Sequence, residues 1–171
     1  MPNTSTPMGL YPILRGAGGN MADTMFRSKA ASYGTRIRQY DAVAAVTDGT
    51  INRAITPGTT LILGVSLDGG APSTLTYHHV IEEVDAIYIA QVSGATGGLA
   101  VDTFANANLV LGSTTTVISD DQIDQTTIAA TATLDLKLIR LHPEVDKGFG
   151  QYSVFEVQIN KAMRDSATAG I

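Results

Sequence analysis

The segment TLDLKLIRL, residues 133–141, decides the fold class. Leu134, Leu136 and Leu138 alternate with Asp135 and Lys137, which places the leucines on one face of a strand and the charges on the other. Ile139, Arg140 and Leu141 continue the alternation in the opposite phase, and a slip of one residue is what a β-bulge produces. After the loop HPEVDKGFG comes YSVFEVQIN, with Phe155, Val157 and Ile159 on one face and Glu156 and Gln158 on the other.

The same grammar extends toward the N-terminus. TRIRQYDAVAAVTDGTINRAI, from residue 35, reads as a strand, a turn at Asp48-Gly49 and a second strand. TTLILGVSLDGG is a strand closed by a Gly-rich turn, and DAIYIAQV is apolar on both faces, as a strand covered on both sides should be. Many short strands, turns rich in Gly, Asp and Asn, and at most one or two short helices predict an all-β domain, a small β-barrel or a β-sandwich.

Composition agrees. The chain has 171 residues, of which 44% are hydrophobic and only 16% charged, with 17 glycines; one packed domain fits this, whereas a charge-rich helical bundle does not. No cysteine is present, which excludes disulfides, a thiolate nucleophile and a Cys-based zinc site. The start MPNTSTPMGLYPILRG has neither the basic opening nor the apolar run of a signal peptide, and no stretch is long and apolar enough to span a bilayer. A soluble protein of a reducing cytoplasm is expected.

Residues 1–32 read as an extended N-terminal arm, 33–162 as the β domain and 163–171 as a flexible C-terminal tail. Pro2, Pro7, Pro12 and the run GAGG at 16–19 disfavour helix and central strand in the arm. The arm nevertheless carries Met8, Leu10, Tyr11, Ile13, Leu14, Met21, Met25 and Phe26, anchors for docking on its own domain or on another subunit. Residues 22–33, ADTMFRSKAASY, are expected to form a short helix capped by Asp23 or Thr24. Removing residues 1–30 should then leave a folded domain.

The net charge is −5, yet no Lys or Arg occurs between Ala54 and Leu136, where nine acidic residues lie. A basic flank beside an acidic middle suggests contact between unlike surfaces of neighbouring copies or of a partner, against the bland alternative of scattered surface charge. Net acidity without a basic cluster argues against nucleic acid.

Chemistry is hard to find. In TYHHVIEEVDAIYIAQV, residues 76–92, His78 and Glu82 share one face of a single long or bent strand, while His79, Glu83 and Asp85 share the other. The two histidines cannot aim at one ion without a bend, although a symmetry axis can gather copies of either. A metal-dependent enzyme would rest on His78, His79, Glu82 and Glu83 alone. SDDQIDQ, 119–125, lacks the ligand spacing of a calcium loop and fits a capping box from Ser119 to Gln122. RGAGGNM is not a phosphate loop, and the surroundings of Ser66 miss the GxSxG spacing. No catalytic residue, cofactor or metal site is assigned.

The order of PMGLYPIL, YDAVAAVTDGTI, TTLILGVSL, VDAIYIAQV, ANLVLGSTTTVIS, TLDLKLIRLHPEVD and FEVQIN resembles capsid decoration, or cement, proteins of tailed bacteriophages over roughly residues 8–162. That resemblance implies a virion structural protein that binds the major capsid protein on the capsid exterior as a homotrimer, assembled in the bacterial host cytoplasm, with no enzymatic activity. The arm would make the contact through Leu10, Tyr11, Ile13, Leu14, Arg15, Met25 and Phe26, with Arg36 and Arg38 pairing to acidic surface. The alternative is a β-rich head-fibre or tail module for adhesion or carbohydrate binding; the lack of Trp, a common sugar-stacking residue, ranks it lower.

Overall fold

The computed structural model of the chain describes residues 3–15, 24–54, 56–94, 96–113, 115–143 and 148–163. Twelve strands are found among them: β1 (Tyr11–Arg15), β2 (Thr24–Lys29), β3 (Ala42–Ala45), β4 (Ile51–Arg53), β5 (Gly64–Ser66), β6 (Thr76–Ile81), β7 (Ala86–Gln91), β8 (Asn106–Ala107), β9 (Leu109–Val110), β10 (Gln122–Ile123), β11 (Leu136–Leu141) and β12 (Val154–Ile159). One five-stranded sheet runs β1-β7-β12-β11-β8 and the other β2-β6-β5-β3-β4, with β9 and β10 as a separate pair. All the strand pairs are antiparallel. The two five-stranded sheets pack face to face as a β-sandwich.

Alternation along each strand builds the interior. Leu136, Leu138, Phe155, Val157, Tyr88 and Ala90 from the first sheet meet Ala42, Ala44, Val65 and Ile81 from the second, all buried. The odd-phase residues of the second sheet point the other way: Val43, Ile51 and Val80 join Ile37 and Leu63 in a smaller cluster on its outer face, backed by Tyr33 and Met163. That sheet curls, because its edges β2 and β4 approach within 8 Å without pairing. The register slip in β11 falls between Leu138 and Arg140, where the phase change in the sequence puts it. The Asp48-Gly49 turn joins β3 to β4, with Gly49 at φ 82°.

Four expectations are corrected. Residues 24–29 form a strand, not a helix, in register with β6 from Thr24↔Ile81 to Lys29↔Thr76. The open side of β6 supplies the ladder that a short helix here would lack. Over its described length the N-terminal arm docks on its own domain, one of the two alternatives the sequence left open: β1 pairs with β7 in one sheet, β2 with β6 in the other, and Leu10 lies in the main core. Deleting residues 1–30 therefore removes an edge strand from each sheet. The stretch 76–92 is two strands in different sheets, with Glu82–Asp85 crossing between them. Finally, Ser119 opens no helical turn: Gln122 is in β10, and the 3-10 turn Gln125–Thr127 is capped by Asp124, which accepts from Thr126 N. Of the tail, Met163 packs against the outer cluster and residues 164–171 lie outside the described residues.

Candidate partner-binding surface

β2 is the edge of its sheet, and exposed apolar side chains gather on it and on the neighbouring β6. Phe26 is 69% exposed and Met25 50%; on the neighbouring β6, Tyr77 is 67% exposed, and Leu75 just before that strand is exposed as well. The register places Phe26 opposite His79 and Ser28 opposite Tyr77, so Phe26, His79 and Tyr77 share one face. The Phe26 ring and the His79 imidazole sit 4.1 Å apart, centroid to centroid. His79 is fixed from beneath by Asp68, whose Oδ2 accepts from the His79 backbone N–H at 2.8 Å and contacts its Nδ1 at 2.7 Å. Burial works against the charged Asp68 carboxylate, but these hydrogen bonds outweigh it and hold the group below its ordinary pKa. On the opposite face of β2, Arg27 donates through Nε and Nη2 to buried Glu82, the Nη2 bond being 2.7 Å.

The expected contact residues divide on this geometry. Met25 and Phe26 are exposed on β2, and Tyr11 is exposed on β1, edge to face with Tyr40 at 4.9 Å. Ile13 and Arg36 are half-buried. The side chains of Leu14 and Arg15 lie outside the described residues. Leu10 and Arg38 are fully buried and cannot meet a partner. Leu10 N–H donates to Tyr40 O at 3.1 Å and its side chain fills core. The sequence carries no local signal for Tyr77 and Leu75, which lie on and just before the strand that pairs with edge strand β2.

Arg38 anchors a buried charge cluster instead. It donates to Asp41 Oδ1 at 2.8 Å, to Asp121 Oδ1 at 2.7 Å, and to Asp120 and the carbonyl of Ser113. Arg53 donates to Asp121 as well, and Gly112 N–H donates to the same carboxylate oxygen at 2.8 Å. Burial and the nearby Asp41 charge push the Asp121 carboxyl up, against the pull of Arg53 and Arg38. Asp120 and Asp121 thus tie Gly112 and Ser113 to Arg38 and Arg53. The segregated charge of the sequence resolves the same way: Arg27 with Glu82, Arg38 with Asp120 and Asp121, Arg53 with Asp121 are all pairs within one chain. The expected partner across an interface is, for these groups, the chain itself.

The histidines also settle into structural bonds. His78 is buried, its Nδ1 2.9 Å from Ser66 Oγ and its Nε2 3.0 Å from Thr76 Oγ1. The Ser66–His78 contact is sealed from solvent, with Ser66 Oγ donating to Asp68 O at 2.8 Å, so it has no access to a substrate. His142 Nδ1 lies 3.3 Å from Glu156, a residue buried on the outer face of the first sheet and held by Arg140 at 2.7 Å. Among the described residues no group of three His, Asp or Glu side chains is placed to hold a metal ion. A cavity of about 280 Å³ opens between Arg27 and the β3–β4 turn. Its walls are mostly aliphatic, with two threonine side chains, and its one charged group is already engaged by Glu82. No helix among the described residues is long and apolar enough to cross a membrane.

No protein-family model, curated protein or solved structure matches the chain.

Proposed function

We propose that this protein is a non-catalytic structural subunit of a tailed-phage virion, decorating and stabilising the capsid by binding the major capsid protein, as a homotrimer on the particle exterior. The observation that supports this reading is the β2 edge, where Phe26 and Tyr77 form an exposed apolar patch on one face of the sandwich and Met25 is exposed on the other. An edge strand offers unpaired main-chain groups to a partner, and the side chains beside it supply selectivity. Many copies on a shell turn a modest contact into large avidity. The β1 edge, with Tyr11 exposed, is a second place for a neighbour to join. The reading needs no cofactor, nucleic acid or membrane.

Cosedimentation with capsids of the cognate phage tests it. Phe26→Asp should abolish capsid occupancy while leaving the denaturation midpoint nearly unchanged, since Phe26 contributes little to the core. Undiminished occupancy of the Phe26→Asp protein would sink the β2 assignment. The adhesion alternative draws on the same face, because Phe26 and Tyr77 are paired aromatics that a sugar ring can stack on. Saturable binding on a glycan array, lost in Tyr77→Ala, would favour that module over the capsid subunit.

A further inference from the structure

The face of β2 opposite the aromatic patch gathers basic groups in an unusual way. Arg27 stands directly across the ladder from His78, and Lys29 stands across from Thr76, diagonal to the same histidine. Lys29 and His78 are both fully buried. Among the described residues Lys29 Nζ reaches only the carbonyl of Ala30, at 3.4 Å, and lies 5.9 Å from the Tyr33 ring centroid. His78 takes no carboxylate: its ring bonds are to Ser66 Oγ, Thr76 Oγ1 and the Asp68 carbonyl. Neutral His78 satisfies all three. A protonated ring would place a second buried positive charge diagonal to Lys29, on a face whose other cation, Arg27, already takes up Glu82.

We propose that β2 is a proton-sensitive latch, its pairing with β6 loosened when His78 is charged. The surroundings on every side fit. From β2 come Arg27, already neutralised by Glu82 just past the end of β6, and Lys29, which has no acidic partner among the described residues. From the segments around β3 and β5 come Asp41, held by Arg38 and Arg53, and Asp68, whose carboxylate is turned to His79 on the other face. Each carboxylate near the ring therefore has another partner. Burial, then the Lys29 charge, hold the His78 pKa below its ordinary value, although Asp68 and Asp41 oppose this. An opened strand frees the imidazole to take its proton in water near pH 6.5, so acid favours the open form. Among the described residues β2 is hydrogen-bonded to β6 alone, with β4 near but unpaired, and it leaves without breaking any other ladder. Because β2 carries Met25 and Phe26, opening would also withdraw the docking surface; that consequence alone rests on the function proposed above.

Hydrogen exchange on the full chain, corrected for the intrinsic pH dependence of amide exchange, tests the latch between about pH 7.5 and about pH 5. Amides of Thr24–Lys29 should lose protection several-fold as the pH falls, while those of β3, β5 and β12 keep theirs. His78→Asn, which keeps a group at the Nδ1 position and cannot titrate, should abolish the pH response. Lys29→Met, which lifts the repulsion, should shrink it and serves as an independent check if His78→Asn fails to fold. A β2 protection that does not vary with pH overturns the latch. So does loss of protection in both sheets at one common pH, the signature of global acid unfolding, or a Lys29→Met response equal to that of the wild type. Capsid binding enters none of these readouts, so the function and the latch fail separately.

Discussion

Arg38 Nη2 and Asp121 Oδ1 meet at 2.7 Å with neither side chain appreciably exposed, and they join residues 83 positions apart. Asp41 and Asp121 bind the same guanidinium, so the segment before β3 and the segment before β10 are fastened to one another through Arg38. Removing the arginine leaves two buried carboxylates with only Arg53 to share. We expect Arg38→Ala to lower stability by about 3–5 kcal/mol, read from urea denaturation. Arg36→Ala, a half-buried neighbour on the same segment, should stay within about 0.5 kcal/mol.

Tyr88 is buried in the main core, and its hydroxyl has no hydrogen-bond partner among the described residues. Burial and the nearby Glu83 charge push its ionisation far above that of an ordinary tyrosine. Tyr88→Phe removes the orphaned hydroxyl at nearly constant volume and should be neutral or stabilising by up to about 1 kcal/mol. In an ultraviolet titration of the wild type, one of the six tyrosines should ionise only as the protein unfolds, and that step should be missing in the variant.

Gly64 in β5 sits against β6 so closely that an added Cβ would lie 2.0 Å from the carbonyl oxygen of Ile81. Gly64→Ala must push the two strands apart and should cost about 3 kcal/mol in thermal or urea denaturation. Gly34, whose Cβ would meet nothing within 4 Å, provides the control.

Asp68 supplies a pH dependence of known sign. Its folded pKa is depressed below the ordinary 3.8, so the stability it contributes is present above that value and is lost as the pH falls through the lower, folded pKa. Asp68→Asn should therefore be less stable than wild type at neutral pH, and the gap should close below about pH 4. A gap that persists unchanged into strong acid would mean that shape, not charge, sets the role of Asp68.

Much of the fold was legible because burial on one face writes itself into a two-residue period. TLDLKLIRL and YSVFEVQIN announced their strands, their inward faces and even the bulge, and DAIYIAQV announced a strand covered on both sides. What stayed hidden depended on partners distant in sequence. Thr24–Lys29 is too short to declare its period, and only the open side of β6 makes it a strand. Arg38 looks like a surface cation until Asp120 and Asp121 arrive from the far side of the domain. The same remoteness concealed the patch around Phe26, since Tyr77 and His79 lie half a hundred residues away along the chain.

That β1 and β2 seal opposite sheets has a temporal side. Tyr11 pairs with Ile89 and Phe26 with His79, so both strands leave the ribosome well before the strands that complete their ladders. At roughly 5–20 residues per second, translation leaves Tyr11 waiting roughly 4–15 s for Ile89 to be made. Pairing at such separations is intrinsically slow, in the millisecond-to-second range once the chain is complete. Throughout that interval Leu10, Tyr11, Met25 and Phe26 stand uncovered, and the waiting N-terminal segment is the place where newly made chains are most open to mispairing with one another.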